Sequence, residues 1–497
     1  MISPQLNSIT RLARAGALEQ AWSLFHASRF TPGSDDPEVL TVYGRLLKDR
    51  AAQATGAVRG QLLHDAIAAY ERASILSRAT YPLINAATLA FLAGLQDKAN
   101  RLAQATLALL DSQDCAPETP YWIDATRAES LLLLGRTDDA QRLLGKAIAH
   151  QPDAWEDHAS TLRQFSMILR GMGQPDGWLD RYRPRAPLYF DGILGIATDD
   201  AQAAAIIEDA VEALSPSIAI GALAAGADIL VAEAAIRLGS ELHIVLPCPA
   251  GLFRTTSVEP FGPGWAGRFD VLMDEAVSVL MLDDWHALSD ASIDISRQAA
   301  MGLAIRQAKR LQSSPQALHI SAKGEEERSR AAEPWHRLDL PLSRVRMERS
   351  DRSQAVLPGQ GKAMALLSVP EAWPLEPDEG DGAVLLGRTA GHVVLGMPRL
   401  ADAAAWACAI RVRHPEARLG IDYCAVADDG TGDQGLERAV MLARADLTGA
   451  VALSESAALA LALHWPEANV QSMGAMRGIA GDRTLYGLFP GSGDQVG

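Results

Sequence analysis

From residue 1 to about 182 the apolar residues recur three and four apart, the spacing that gathers them on one face of a helix. After RYRPRAP the pattern changes to short apolar runs separated by glycine turns, which predicts a boundary near Arg185. LYFDGILGIA (Leu188 to Ala197) reads as a strand with its turn and AQAAAIIEDAVEAL as a helix. PSIAIGA then gives a second strand, ADILVAEAAIRLG a second helix and LHIVLP a third strand. Strands and helices alternating at these lengths imply parallel strands joined by helical crossovers. The same texture runs through FRTTSV, GPGWAGRFDVLMDEA and QAAMGLAIRQAKRL to about residue 340. Residues 341–361 are polar and mixed in charge, closing with Pro-Gly, and are expected to form a linker. Beyond it KAMALLSV, HVVLGM, ARLGIDYCAVA and GAVALSE read as strands, with ADAAAWACAIRVR, LERAVMLARA and SAALALAL as helices. The expected fold class is therefore multidomain: all-α helical over 1–182, Rossmann-like α/β over 186–340, and α+β over 362–490.

A small signature returns three times in the helical segment: AGALEQA ending at Ala21, AGLQDKA at Ala99 and LGRTDDA at Ala140. In each, a glycine (Gly16, Gly94, Gly135) precedes an alanine by five residues. An antiparallel helix pair needs this combination, glycine to turn and a small residue where the helices approach. DAIAAYERASIL, around Ala66 to Leu76, is a related half-repeat. The segment resembles tetratricopeptide repeats with irregular lengths between copies, which implies a protein-binding scaffold; a generic helical bundle is the plainer reading.

In the middle segment, the stretch strand, GALAAGAD, helix is a context in which amides at a helix N-terminus can hold phosphate. Its spacing, Gly221-x4-Gly226, matches neither GxGxxG nor the Walker form, and Asp228 in the first helical turn serves equally well as a cap. Residues 186 to 345 nonetheless resemble the SLOG-type Rossmann-like domain that follows tetratricopeptide repeats in bacterial signalling proteins. The resemblance rests on LYFDG, on GALAAGADILVAEAAIRLGSELHIVLPCP, on Phe253 to Val258, on GWAGRF and on AMGLA at Ala300 to Ala304. It implies a nucleotide or nucleotide-derived ligand at Gly192, Gly221, Gly226, Asp228 and Glu233. The PGGxGTxxE motif of the phosphoribohydrolase members is absent from the sequence.

From Lys362 to Pro490 the order of segments resembles a class III nucleotidyl cyclase domain of ferredoxin-like topology. KAMALLSVP stands for its first metal-bearing strand, RTAGHVVLGMPRLADAAAWACAI for its hairpin and helix, ARLGIDYCAVA for its R-I-G-I-H-x-G-x-V strand, and GAMRGIAGDRTLYGLFP for its closing strands. LERAVMLARADLTGAVALSESAALAL covers the helix that carries N-x-A-A-R. Such a cyclase holds two divalent ions on two aspartates. The resemblance places Ser368 and His392 at those positions, Val440 at the ribose-orienting asparagine and Arg444 at the phosphate-binding arginine. Serine and histidine are poor ligands for a hard cation such as Mg²⁺, so the resemblance implies a degenerate cyclase domain. A shifted alignment would instead use Asp381, in the literal GDG of EPDEGDGAV, or Asp378 before it.

The formal charge of −16 comes with no compensating basic lobe, which argues against a nucleic-acid partner. The scattered cysteines, Cys115, Cys248, Cys408 and Cys424, form no CxxC and suit a reducing compartment. With no secretory signal and no long uncharged apolar run, a cytoplasmic location away from membranes is expected. PGQGKAMAL lacks the Walker Ser/Thr; Asp283, Asp284 and His286 read as a solvated acidic loop; and Arg344, Arg346, Arg349 and Arg352 alternate with Glu348 and Asp351. His243 and Cys248 flank a buried strand, where packing is the default role. No metal and no cofactor is expected, and the oligomeric state is left open. The reading is a cytoplasmic signalling pseudo-cyclase with a protein-binding repeat and room for a nucleotide ligand. The alternatives are a cyclase that is active or completed by a partner, and a nucleotide hydrolase acting in the middle segment.

Overall fold

The computed structural model describes the chain except for residues 1–3, 15, 29, 32, 113–114, 283–287, 324–331, 349–360, 373–381, 428–432, 446, 448, 479–480 and 491–497. Asp283, Asp284, His286, Arg349, Asp351, Arg352, Asp378 and Asp381 thus lie outside the described residues. The described chain divides into two compact units that meet in sequence at Pro184 and Arg185.

The first unit is helical: α1 (Pro4–Arg14), α2 (Leu18–Ala27), α3 (Pro37–Gln53), α4 (Gly56–Ser77), α5 (Thr80–Leu92), α6 (Gln96–Leu110), α7 (Pro120–Leu133), α8 (Thr137–His150) and α9 (Trp155–Gly171), then a 3-10 turn over Gly177–Tyr182. The repeated Gly and Ala have visible jobs. Gly16, Gly94 and Gly135 all take positive φ, between 76° and 80°. After each, the next amide reaches back to a carbonyl five residues earlier: Ala17 to Leu12, Leu95 to Ala90 and Arg136 to Leu131, all at 2.9 Å. This is the helix-ending pattern that a left-handed residue permits. Ala21, Ala99 and Ala140 are completely buried, where a larger side chain would hold adjacent helices apart. The half-repeat on α4 buries Ala66, Ile67, Tyr70 and Ala73 but ends on Arg78 in the left-handed region instead of a glycine. A polar ladder runs through the interior: Lys48 donates to Asn85 at 3.0 Å and Thr88 to Glu129 at 2.5 Å. Burial pushes the Glu129 carboxyl up to about 7, against the pull of Thr88 and Lys48.

The second unit begins with β1 (Pro187–Asp191), α10 (Ala201–Leu214), β2 (Ile218–Gly221), α11 (Ala227–Arg237), β3 (Glu241–Leu246), α12 (Ala250–Ser257), α13 (Pro263–Glu275) and β4 (Ser278–Met281). It continues with α14 (Asp290–Leu311), β5 (Gln316–Ala322), α15 (Ala332–Arg337) and β6 (Leu342–Met347). The six strands form one parallel sheet, ordered β4-β3-β2-β1-β5-β6. Leu188 and Phe190 pack with α10 and α11 in its main core, so Tyr189 and Asp191 turn to the opposite face. The expected linker is corrected here. Leu342 to Met347 pair in register with Ala317 to Ala322 as an edge strand. The polarity of LSRVRM is that of a strand paired on one side only, with arginines facing water.

Then follow β7 (Gly361–Pro370), β8 (Val384–Thr389), β9 (His392–Met397), α16 (Leu400–Arg413), β10 (Gly420–Ala427), α17 (Asp433–Arg444), β11 (Val451–Leu453), α18 (Glu455–His464), β12 (Asn469–Gly478) and β13 (Gly481–Phe489). Their sheet runs β12-β13-β11-β10-β7-β9-β8. The β10–β11 pair is parallel and the others are antiparallel. One face packs on α16 and α18, the other on α17.

The segments 186–340 and 362–490 do not part as separate bodies, because α14 belongs to both. Ser289 and Ser292 cap it reciprocally. Its buried residues lie all around its circumference, from Ile295 through Gln298, Ala299 and Gly302 to Leu311, as a helix enclosed on every side requires. Ile295 sits in the core of the seven-stranded sheet, while Tyr423 of β10 donates its hydroxyl to Gln298 Oε1 at 3.1 Å. His464 Nε2 meets the same oxygen at 2.6 Å. A Cβ on Gly302 would lie 1.8 Å from the Leu459 carbonyl oxygen, so α14 and α18 cross with backbone against backbone.

Candidate functional site at the switch point of the parallel sheet

In the parallel sheet, β1 leads by way of α10 to β2 on one side, while its other neighbour β5 leads to β6 on the far side. The crevice beyond the carboxyl ends of two such strands is where open α/β sheets hold ligands. Asp191 ends β1, is paired in register with His319 of β5, and its Oδ1 lies 2.6 Å from His319 Nδ1. Arg297, reaching over from α14, brings its Nε within 3.7 Å of Asp191 Oδ2. Burial alone would raise the Asp191 carboxyl, but the bond and charge of His319, with Arg297, outweigh it and hold the group below its ordinary value.

Asp228 enters the same neighbourhood from the first turn of α11. Its Oδ2 accepts from the Ala224 amide at 3.2 Å, while Oδ1 is buried with no hydrogen-bond partner among the described residues. Burial and the adjacent Asp191 charge push this carboxyl up to about 8, against the pull of Ala224, Arg297 and Gly192. At neutral pH one carboxyl is therefore ionised and its neighbour carries a proton, able to donate a hydrogen bond. The Tyr189 hydroxyl is likewise buried beside Asp191, and the charges of Asp191 and Asp228 add to burial in raising it. The Arg297 side chain is 44% exposed, so the cluster has one charged group facing solvent.

The expected glycines have packing roles here. A Cβ on Gly192 would stand 2.4 Å from that of Ala227, one on Gly221 would meet the Phe190 ring at 2.6 Å, and one on Gly226, at φ 109°, would meet the Ile193 carbonyl at 2.8 Å. Amides of the turn are also engaged within the protein: Ala225 donates to Ser257 and Ala227 to Ile193, besides Ala224 to Asp228. Glu233 stands apart, pairing with Arg268, whose guanidinium also covers the Trp265 ring at 4.4 Å. Thus Gly192, Gly226 and Asp228 come together, whereas Glu233 joins α11 to α13. Sequence reasoning missed Asp191, His319, Arg297 and Tyr189. A polar residue closing an apolar strand in LYFDG, and a lone histidine in QALHISA, were the available signals; Arg297 carried none.

In the seven-stranded sheet, Ser368 of β7 and His392 of β9 are buried together, Ser368 Oγ lying 3.1 Å from His392 Nδ1. Arg444, at the end of α17, donates to the Ala390 carbonyl at 3.0 Å. Burial, then the Arg444 charge, holds His392 below its ordinary value. Val440 is packed in an apolar cluster with Leu366, Val394, Cys424 and Ala439. Asp422 is the buried carboxylate on that face, and Arg438 donates to it at 2.8 Å. Among the described residues, no three His, Cys, Asp or Glu side chains converge as metal ligands would, and no helix is long and apolar enough to cross a membrane.

Residues 5–90, spanning α1 to most of α5, match the family model described as Tetratricopeptide Repeats-Sensor. Repeats of that type generally mediate contacts between proteins. No curated protein and no solved structure matches the chain. The N-terminal region is accordingly a tetratricopeptide-type helical repeat, followed in the same chain by sheet-containing regions.

Proposed function

We propose that the chain is a regulatory scaffold: its helical repeat binds a protein partner, and its second unit binds a nucleotide or nucleotide-derived ligand at the β1/β5 switch point without cyclase turnover. The observation that carries the ligand is Asp228 Oδ1, a buried oxygen with no partner among the described residues, beside the ionised Asp191 and the solvent-facing Arg297. A protonated Asp228 offers a donor, Asp191 an acceptor for a ribose hydroxyl, and Arg297 a fork for phosphate. The parallel order β4-β3-β2-β1-β5-β6 supports a SLOG-type domain, and the order β10-β7-β9-β8 a cyclase-like sheet of ferredoxin-like topology after it. The Ser368–His392 bond supports loss of its metal chemistry, since each side chain occupies the other where two carboxylates would be needed.

Calorimetric titration with ATP, GTP and NAD, with and without Mn²⁺, followed by product analysis, tests this. The expected result is binding of one of the three without cyclic product, weakened at least tenfold by Arg297→Met and unchanged by Arg444→Ala, as loss of a charge-assisted fork would give. Metal-dependent cyclic product lost on Arg444→Ala would replace the reading with a cyclase, alone or with a partner supplying carboxylates. The split between Asp191 and Asp228 favours one second reading, nucleotide hydrolysis in the parallel sheet. It predicts hydrolytic product that disappears on Asp228→Asn.

A further inference from the structure

Where α14 crosses α18, the chain leaving α18 turns through Trp465 and Pro466 toward β12, and a cavity of about 210 Å³ opens between these elements. Arg306 and Lys309, one turn apart on α14, stand on one wall. Ala458 and Ala462 of α18, with Trp465 and Val470, make the rest of the lining largely apolar.

The two cations are the unexplained feature. Acidic residues outnumber Lys and Arg by 61 to 45, and other arginines of this unit have carboxylates: Arg254 with Asp270, Arg268 with Glu233, Arg438 with Asp422. Among the described residues neither Arg306 nor Lys309 has one. Lys309 Nζ donates to the Pro466 carbonyl, which uses one of its three donors. Arg306 is partly buried, and its guanidinium faces the Tyr486 ring with 5.4 Å to the centroid. Burial holds it below the ordinary arginine value, which an anionic neighbour would counteract. Lys309 in the last turn of α14 complements the helix dipole, but Arg306 lies before that turn. Among the described residues the guanidinium has no hydrogen-bond acceptor, so its donors are open to an anion in the cavity.

We infer that this cavity is a binding site for a small aromatic carboxylate, its carboxylate held in the fork of Arg306 and by Lys309, its ring against Trp465, Ala462 and Val470. Arginine matches a carboxylate through two parallel bonds, and Trp465 offers a face for a flat apolar group. The volume sets the size: drug-sized ligands occupy pockets of about 300–1,000 Å³, so this one takes roughly ten heavy atoms and excludes a nucleoside triphosphate. The site is independent of the switch-point cluster. It lies on the seam through which α14 joins the two sheets, so an occupant bridges both helices.

The test is calorimetric titration of the full chain with benzoate, phenylacetate and indole-3-carboxylate, with inorganic phosphate as the charge-only probe. At least one carboxylate should bind saturably at one site and at least tenfold more tightly than phosphate. Arg306→Gln should weaken that binding at least tenfold. Ala462→Phe, which fills the cavity and leaves both cations in place, should abolish it while far-ultraviolet circular dichroism stays unchanged. Saturable binding by none of the three, binding indifferent to both variants, or phosphate binding as tightly as the carboxylates would each overturn the assignment.

Discussion

Gly302→Ala is expected to destabilise the second unit by about 3 kcal/mol or more, beyond the ordinary cost of overpacking a core. The added methyl carbon would sit 1.8 Å from the Leu459 carbonyl oxygen and 2.7 Å from its carbon. These are backbone atoms of α18, so no side chain can swing aside; the helices must move apart. Separation would also stretch the Gln298 bonds to Tyr423 and His464, since Gln298 lies one turn away on α14. Glycine in a helix interior costs roughly 1 kcal/mol relative to alanine, so propensity alone would reward the substitution. The control is Gly251→Ala in α12, where an added Cβ meets nothing within 4 Å. Hydrogen exchange read by mass spectrometry should show lost protection in α14, α18 and β10 for Gly302→Ala and none for Gly251→Ala. Equal protection in the two would mean that the crossing is looser than described.

Asp228→Asn is expected to stabilise the protein above pH 8 and to flatten the decline in stability between about pH 4 and 8. The sign follows from linkage. Unfolded aspartate titrates near 3.9, whereas burial and Asp191 raise the folded Asp228 to about 8. Between these values the folded state holds the extra proton, so stability falls as pH rises. The groups facing it are Asp191, Arg297 and the amides of Ala224 and Gly192. An amide keeps the shape and removes the charge, so the gain at pH 9 should be on the order of 5 kcal/mol. Asp191, held below its ordinary value, acts with the opposite sign, and its contribution is lost only as pH falls below that range. Glu129, raised to about 7 in the helical unit, declines in the same direction. Urea midpoints at pH 5, 7 and 9 for the wild type, Asp228→Asn and Glu129→Gln separate the two sources. A wild-type slope retained in Asp228→Asn would remove that carboxyl from the account.

The placement of Arg297 and Gln298 gives the second unit its internal logic. Consecutive on α14, one reaches Asp191 of the parallel sheet and the other ties Tyr423 and His464 of the antiparallel one. Burial, with the charges of Arg337 and Arg399, holds His464 down to about 4, so a neutral ring meets the Gln298 oxygen through an N–H at physiological pH.

Local pattern decided much of this chain. The Gly and Ala five apart, the strand and helix alternation from Leu188 onward and the strands after Lys362 were legible because each answers to a short-range rule: a left-handed turn, a buried period, a helix cap. The change of architecture near Arg185 was legible for the same reason. LSRVRM was not, since an edge strand in a solvated stretch has no apolar period of its own and is set by its register against β5. The switch-point cluster draws Asp191, Asp228, Arg297 and His319 from four elements scattered over 129 positions of sequence, and no spacing rule connects them. Whether a buried carboxyl ionises depends on what is packed around it, and that surrounding exists only once β1, β5, α11 and α14 have come together. Gly302 is the plainest case: in sequence it is a flaw in a good helix, and only the backbone of α18 lying against it makes glycine the residue that fits.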